Sequence, residues 1–170
     1  MTAIRDSIVP TENVSVLSAV GLIFTEDGRY LMQLRDDNPG ILFPNYFCLF
    51  GGTVEKSEGP VKGLRRELRE ELELEADRIS YFSQLAFDAV FTDGTTHQRY
   101  YFEVPVSISV VDSLTFHEGA EMRLMTADDI AREALRFVPY DFGILRMHML
   151  LRQNDGETSG AKNGPPVNMS

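Results

Sequence analysis

The stretch Gly51–Leu74, "GGTVEKSEGPVKGLRRELREELEL", decides how the chain is read. Glutamates occupy positions 67, 70, 71, 73 and 75, straight after a double glycine and a proline. Like charges at i,i+4 on one helix cost about 0.2–0.5 kcal/mol per pair, so the concentration asks for a reason. Pro60 is a favoured first-turn residue, and Ser57, Glu58 and Gly59 before it mark a helix start. A helix turns by about 100° per residue, which sorts its side chains into faces. Val61, Leu64, Leu68 and Leu72 form one apolar stripe, the side expected to face the core. Lys62, Arg65, Arg66, Arg69 and Glu73 fall on one flank. Glu67, Glu70 and Glu71 fall on the other, at i, i+3 and i+4, with Gly63 one turn before Glu67. Glycine inside a helix costs about 1 kcal/mol relative to alanine; here it leaves room beside the carboxylates. A charge run is ordinarily a solvated face in which arginines offset glutamates. Separation of the cations from the three glutamates argues against that here.

Around this helix the chain reads as one α/β (α+β) domain. Its 170 residues suit one well-buried domain and are few for two. The segment from Val14 to Phe24 is apolar and β-branched, a buried strand. Asp27-Gly28 is a hairpin signal leading into a second strand, Tyr30 to Arg35. "YFCLFGG" reads as a short strand ending at the two glycines. Later, "ISYFSQLAFDAV" and "THQRYYFEVPV" flank a further Asp-Gly signal at Asp93-Gly94, and "SISVV" and "MRLMT" read as short strands. "ADDIARE" predicts a short capped helix, and "PYDFGILRMHMLLRQ" a final amphipathic one from near Pro139. This order predicts a mixed sheet covered by helices on both faces. Residues 1–153 form the expected domain. Residues 154–170, nearly free of apolar side chains, read as a disordered tail.

The bulk numbers exclude several classes. A net charge of −10 disfavours non-specific nucleic-acid binding, which needs a basic surface. It does not exclude a phosphorylated small molecule, because divalent cations can sit between two sets of anions. The one cysteine, Cys48, precludes an intrachain disulfide and a multi-cysteine zinc site. No apolar run reaches the ~18–20 residues that span a bilayer, and the N-terminal residues lack a signal-peptide core. These features lead us to expect a cytoplasmic protein without a membrane partner.

The acidic helix belongs to a longer pattern: Gly52, five residues, Glu58, seven residues, then Arg66, Glu67, Leu68, Glu70 and Glu71, with aliphatic Leu74 beyond. Six identities at fixed spacing arise by chance on the order of 10⁻⁷ per starting position. The pattern resembles the signature of the Nudix hydrolases. It covers about two dozen residues, and the order of elements extends the resemblance from about Val14 to Gln153. The chain departs at Glu73, where the family usually has a glycine that ends the helix in a left-handed cap; Glu73 is expected to let the helix run on.

The resemblance implies a Nudix-like α/β/α sandwich with a mixed sheet between helices. It also implies Mg²⁺- or Mn²⁺-dependent hydrolysis, by metal-activated water, of a phosphoanhydride bond in a nucleoside diphosphate derivative. Nucleoside triphosphates, nucleotide sugars, ADP-ribose and dinucleoside polyphosphates are the candidate small-molecule substrates. By resemblance, Glu67, Glu70 and Glu71 are metal ligands, with the Gly52 carbonyl as a further one. Glu58 and Arg66 orient them; Arg66, on the opposite flank, is not expected to touch phosphate. Relatives take their general base either from the helix (Glu70 or Glu71 here) or from an acid on a loop before a late strand. "FHEGAEMRLM" offers Glu118 and Glu121 there, and the Glu118-Gly119 pair favours Glu118. Homodimers are frequent in the family, and no sequence feature fixes the oligomer.

Other candidates have a structural alternative each. Arg35, followed by Asp36 and Asp37, either meets a phosphate or ribose or forms a surface ion pair. Phe43, Phe47 and Phe50 either stack on a base or pack in the core, with core the better reading. Tyr140 and Asp141 line the site or start the last helix. His97, His117 and His148 show no ligand spacing and read as surface or structural, and Cys48 as a small core residue. A non-catalytic nucleotide-sensing or protein-binding module on the same fold is the alternative function, disfavoured by the intact glutamates. An isoprenoid diphosphate isomerase would want metal-binding histidines and a reactive cysteine, which this chain does not offer.

Overall fold

The computed structural model describes residues 15–88 and 95–160. Strand β1 (Val16–Thr25) lies at the centre, with every residue from Ser18 to Ile23 buried. That is the burial expected of a strand covered on both faces. The Asp27-Gly28 turn, with Gly28 at φ 84°, leads into β2 (Tyr30–Leu34) as an antiparallel hairpin. Two short strands follow, β3 (Phe47–Cys48) and β4 (Phe50–Thr53), then helix α1 (Pro60–Leu72). The rest of the chain runs β5 (Ser80–Asp88), β6 (Thr96–Val106), α2 (Ile108–Val111), β7 (Glu121–Met125), α3 (Ala127–Arg132), a 3₁₀ turn (Ala134–Arg136) and α4 (Pro139–Gly160). The second Asp-Gly signal, Asp93-Gly94, lies outside the described residues.

The sheet runs β3-β2-β1-β6-β5, with β4 also paired to β1 and β7 to β2. Only β1 with β6 is parallel among these pairs; the others are antiparallel. The sheet is therefore mixed, as expected. One apolar layer joins Ala19, Ile23, Phe50, Phe102 and Val104 of the sheet to Leu64, Leu68 and Leu72 of α1. The other joins Val20, Leu22, Met32 and Tyr101 to Ile130 of α3 and to Leu145 and Met149 of α4. Alternation along β1 and β6 sends successive side chains into opposite layers, which makes an α/β/α sandwich.

Four local expectations are corrected. "SISVV" is not a strand: the Ser107 side chain accepts from the Val110 N–H and starts helix α2. "YFCLFGG" is two strands broken at Leu49, and both glycines lie inside β4. Val61 is 40% exposed, so the buried stripe of α1 begins at Leu64. Helix α4 extends to Gly160, through the first seven residues of the segment read as tail. No helix among the described residues is long and apolar enough to cross a membrane.

Candidate active site

The double glycine of β4, paired with Ala19 and Val20 of β1, receives the carboxylates of α1. Gly51 adopts φ 121°, and a Cβ there would stand 2.3 Å from the Ala19 carbonyl oxygen. Only glycine fits that close approach. Its N–H donates to Glu71 Oε2 at 2.9 Å, which fastens the helix carboxylate to β4. Gly52, opposite Ala19 on β1, serves differently. A Cβ on Gly52 would lie 2.7 Å from Glu67 Cδ, so the Glu67 carboxylate occupies the space that a side chain would fill. Gly63 gives room to Glu58 and Val54, and not to the helix glutamates as its flank suggested.

Glu71 is buried, at 4% exposure. Burial pushes its carboxyl up to about 8; the Gly51 hydrogen bond opposes that shift, while the charges of Glu118 and Glu67 add to it. Glu67 is raised too, again mainly by burial, with Arg66 opposing. The charges of Glu70 and Glu118 also raise Glu67. Helix and loop acids thus share one electrostatic field although Glu118 itself is exposed.

Arg66 does not stay on its own flank. Nη1 donates to Glu67 Oε1 at 2.8 Å and Glu70 Oε2 at 3.1 Å; Nη2 donates to Glu58 Oε1 at 2.8 Å and the Thr53 carbonyl at 3.0 Å. The Arg66–Glu70 spacing of four residues explains the reach: 400° of rotation leaves them about 40° apart on the helix. Glu58 is held below its ordinary value, first of all by the Arg66 hydrogen bond. Glu70, 58% exposed, faces outward on this network.

Helix α1 ends at Leu72. Glu73 adopts the left-handed conformation itself, φ 53° and ψ 28°, in place of the usual glycine. Its N–H bonds the Arg69 carbonyl, and the Leu74 N–H closes on the Leu68 carbonyl while Leu68 and Leu74 pack in one cluster. The expected helix extension does not occur, because that cap and the buried Leu74 fix the exit.

The donors suit a hard divalent cation by type, since they are all oxygens. Among the described residues, no group of three or more His, Cys, Asp or Glu side chains is so placed that it could by itself hold a metal ion. Mg²⁺ usually keeps several waters and takes only one or two carboxylates plus substrate phosphates, so an open arrangement is compatible with it.

On the α4 side of the sheet, the Tyr140 ring stacks on Phe87 (5.0 Å, 26°), and Phe87 stacks on His97 (5.4 Å, 21°). Phe43 meets Tyr140 edge-on at 6.1 Å, and the Arg99 guanidinium lies 5.4 Å from the Tyr140 centroid. Arg99 is clamped by Asp141, which is fully buried, through Nε at 2.9 Å and Nη2 at 3.0 Å. Arg35 adjoins this cluster, since its charge is felt by Tyr140 and Cys48; its Nε is buried without a hydrogen-bond acceptor. Tyr140, Phe43 and Arg35 therefore come together. Phe50 does not join them: at 0% exposure it packs edge-on against Phe116 under α1, a core residue. Phe47 is likewise core. Glu121 forms a bidentate pair with Arg123 at 2.7 Å on β7. Cys48 is buried, its thiol pushed up to about 12 by burial.

Arg99 and Phe87 escaped the sequence reading, and His97, read as surface or structural, stacks on Phe87. The signal was there in part: Arg99 shares the face of Tyr101 in alternation along β6, so a cation stood on an otherwise inward-facing row.

A mixed sheet between two helical layers, with an acid-rich helix laid over a glycine pair, defines the Nudix class of fold. The sequence matches the NUDIX domain over residues 15–146, and the chain belongs to that family. Among curated relatives, the nucleoside triphosphatase NudI of Salmonella arizonae is 46% identical over 50 residues, 29% of this chain and 35% of that protein. The match thus spans about a third of that relative's length. The MutT protein from Methanosarcina mazei Go1 superposes with a TM-score of 0.67 at 20% identity, over 85% of this chain and 99% of that one. A bifunctional NMN adenylyltransferase/ADP ribose pyrophosphatase from Francisella tularensis, complexed with AMP and a Mn ion, gives 0.59 at 16% identity, over 85% and 43%.

Proposed function

We propose that this chain hydrolyses a phosphoanhydride bond in a small nucleoside diphosphate derivative, with Mg²⁺ or Mn²⁺ as cofactor, and that residues 1–153 act as one catalytic unit. The observation that carries the reading is the buried Glu71 carboxylate, fastened to the Gly51 N–H beside Glu67 and within the field of Glu118. An acid kept at this depth, among other acids, is a functional arrangement before it is a stable one.

In this reading Glu67, Glu70, Glu71 and the Gly52 carbonyl hold the cation. When bound, the cation offsets phosphate charge and lowers the pKa of water. Arg66 and Glu58 hold the helix carboxylates in place. Glu118 takes the proton from the attacking water. The water oxygen bonds to one phosphorus, the bridging P–O bond breaks, and the bridging oxygen leaves with the other phosphate. Tyr140 and Phe43, which meet edge-on at 6.1 Å, are the aromatic residues read as neighbours of the base, and Arg35 is the residue read as a contact to phosphate or ribose. The nucleoside triphosphatase named above supports a triphosphate as the first substrate to try.

The test is product identification across a panel of triphosphates, nucleotide sugars, ADP-ribose and dinucleoside polyphosphates with Mg²⁺. Glu70→Gln and Glu71→Gln are expected to lose about 10²- to 10⁴-fold in kcat. Wild-type rates in both variants overturn the assignment.

A further inference from the structure

The loop that carries Glu118 is fastened on two sides. Toward α1, the Thr115 N–H donates to the Leu72 carbonyl at 3.2 Å and the His117 N–H to the Glu71 carbonyl at 2.9 Å. These bonds use carbonyls that the end of a helix leaves without intrahelical partners. Toward β2, the Gln33 side-chain amide donates to the Glu118 carbonyl at 2.8 Å, and the Ala120 N–H to the Leu34 carbonyl at 2.9 Å. Gln33 is itself buried and accepts from the Cys48 thiol at 3.2 Å, so its amide is held at both ends. Gly119, at φ 100°, passes so near the strand that a Cβ would lie 2.9 Å from the Leu34 carbonyl oxygen.

A third tie runs through a side chain. Glu73 Oε1 lies 2.8 Å from His117 Nε2, and His117 immediately precedes Glu118. The backbone of Glu73 is left-handed, a conformation that strains any residue with a Cβ and that glycine adopts freely. The pair with His117 is about half-exposed on both sides, so its return in stability is small. On stability alone, glycine would serve this position at least as well. Strain retained beside a reactive centre points to work done by the side chain. What this side chain reaches is the loop of the candidate base.

We propose that Glu73 is a positioning residue: through His117 it holds the Glu118 carboxylate in register with Glu67 and Glu71. The proposal rests on the reading of Glu118 as general base. It concerns the position at which this chain departs from the Nudix signature, so the signature itself does not supply it. The loop's backbone bonds fix where the chain passes, and the Glu73–His117 contact limits its rocking about those bonds. A misplacement of about 1 Å at a reacting group can cost 10²-fold, so a small rocking motion is enough to register in kcat.

The experiment is steady-state kinetics with Mg²⁺ and the best substrate of the panel, beside thermal denaturation of the same proteins. Glu73→Gly removes the tie and the strain together. We expect a Tm at or above wild type, KM within about twofold, and kcat reduced about tenfold. Glu73→Gln keeps an oxygen that can accept from His117 and restores most of the rate. His117→Ala reproduces most of the loss, Thr115 being a second side-chain partner of Glu73 on the same loop, and the double variant Glu73→Gly/His117→Ala shows no loss beyond that of Glu73→Gly, because His117 acts through Glu73. A wild-type kcat in Glu73→Gly overturns the proposal and leaves Glu73 as a helix terminus only. Additive losses in the double variant, or equal losses in Glu73→Gly and Glu73→Gln, overturn it too. Glu118→Gln separates this result from the reading beneath it. Full activity there removes the base assignment itself, whereas an inactive Glu118→Gln beside a fully active Glu73→Gly removes only the role of Glu73.

Discussion

Two adjacent glycines do different work, and substitution separates them. At Gly51 an added methyl meets the Ala19 carbonyl oxygen at 2.3 Å, backbone against backbone in the centre of the sheet, with φ 121° besides. At Gly52 the atoms nearest to it are the end of the Glu67 side chain, which can swing away. Gly51→Ala is therefore expected to destabilise the fold by more than about 3 kcal/mol. Gly52→Ala is expected to fold with a Tm near wild type and to lose about 10²-fold in kcat through the displaced carboxylate. Thermal melts and rates on both proteins check this pair, and equal behaviour of the two counts against the role given to Glu67. Glu71 yields a second prediction. Its folded pKa of about 8 stands above the ordinary 4.5, so the folded state binds the proton more tightly than the unfolded chain. The resulting stability is full below about pH 4.5 and is lost as pH rises through about 8. In chelator, wild-type stability is expected to fall across that window relative to Glu71→Gln, by urea denaturation at each pH. Parallel curves for the two proteins would contradict the burial of that charge. The carboxylates were legible from spacing alone because one helix turn sets their separation. Arg66 was not, since sorting the helix into two flanks hid that Arg66 and Glu70, four residues apart, lie only about 40° from each other.

At the level of the elements, α1 was readable because its period, its proline start and its leucines all agree. Even so, the stripe was read one turn too long. Leu64, Leu68 and Leu72 are fully buried against the sheet, whereas Val61, in the first turn, is 40% exposed. Leu68→Ala is expected to cost about 2–5 kcal/mol and Val61→Ala less than about 0.5 kcal/mol, by chemical denaturation. Comparable losses would show that the helix packs differently. "SISVV" was misread for a physical reason: β-branched composition favours a strand, yet a serine side chain and four residues of chain were enough to close one helical turn. The capped helix α3 was legible because Thr126 and Asp129 satisfy each other's backbone N–H groups, a signal contained within four residues. The break between β3 and β4 was not, because the Leu49 N–H turns to Asp141, 92 positions away.

The whole molecule depends on contacts of that long-range kind, which no local pattern shows. Arg99 of β6 and Asp141 at the head of α4 lie 42 positions apart and join the sheet to its covering helix. Asp141 is fully buried and accepts from Arg99 Nε and Nη2, from the Leu49 N–H at 3.3 Å and from the Tyr101 hydroxyl at 3.3 Å. The Arg99 side chain keeps 16% exposure, and its guanidinium also donates to Ser18 Oγ. The two ends of the pair are thus unequal. Removing the arginine leaves a carboxylate without its counter-charge in the dry interior, whereas removing the carboxylate leaves a cation with some access to water. Arg99→Met is expected to cost about 3–5 kcal/mol, the usual penalty for breaking a buried pair from one side. Asp141→Asn keeps acceptor capacity for Leu49 and Tyr101 and is expected to cost less than Arg99→Met. The double variant Arg99→Met/Asp141→Leu removes both charges, and its Leu49 N–H and Tyr101 hydroxyl then lack an acceptor, a loss of about 1–3 kcal/mol. It should therefore be more stable than Arg99→Met alone and less stable than wild type. Urea denaturation of the four proteins at pH 7 gives this order directly. A double variant no better than Arg99→Met would mean that packing against Tyr140, and not the buried charge, governs how α4 seats on the sheet.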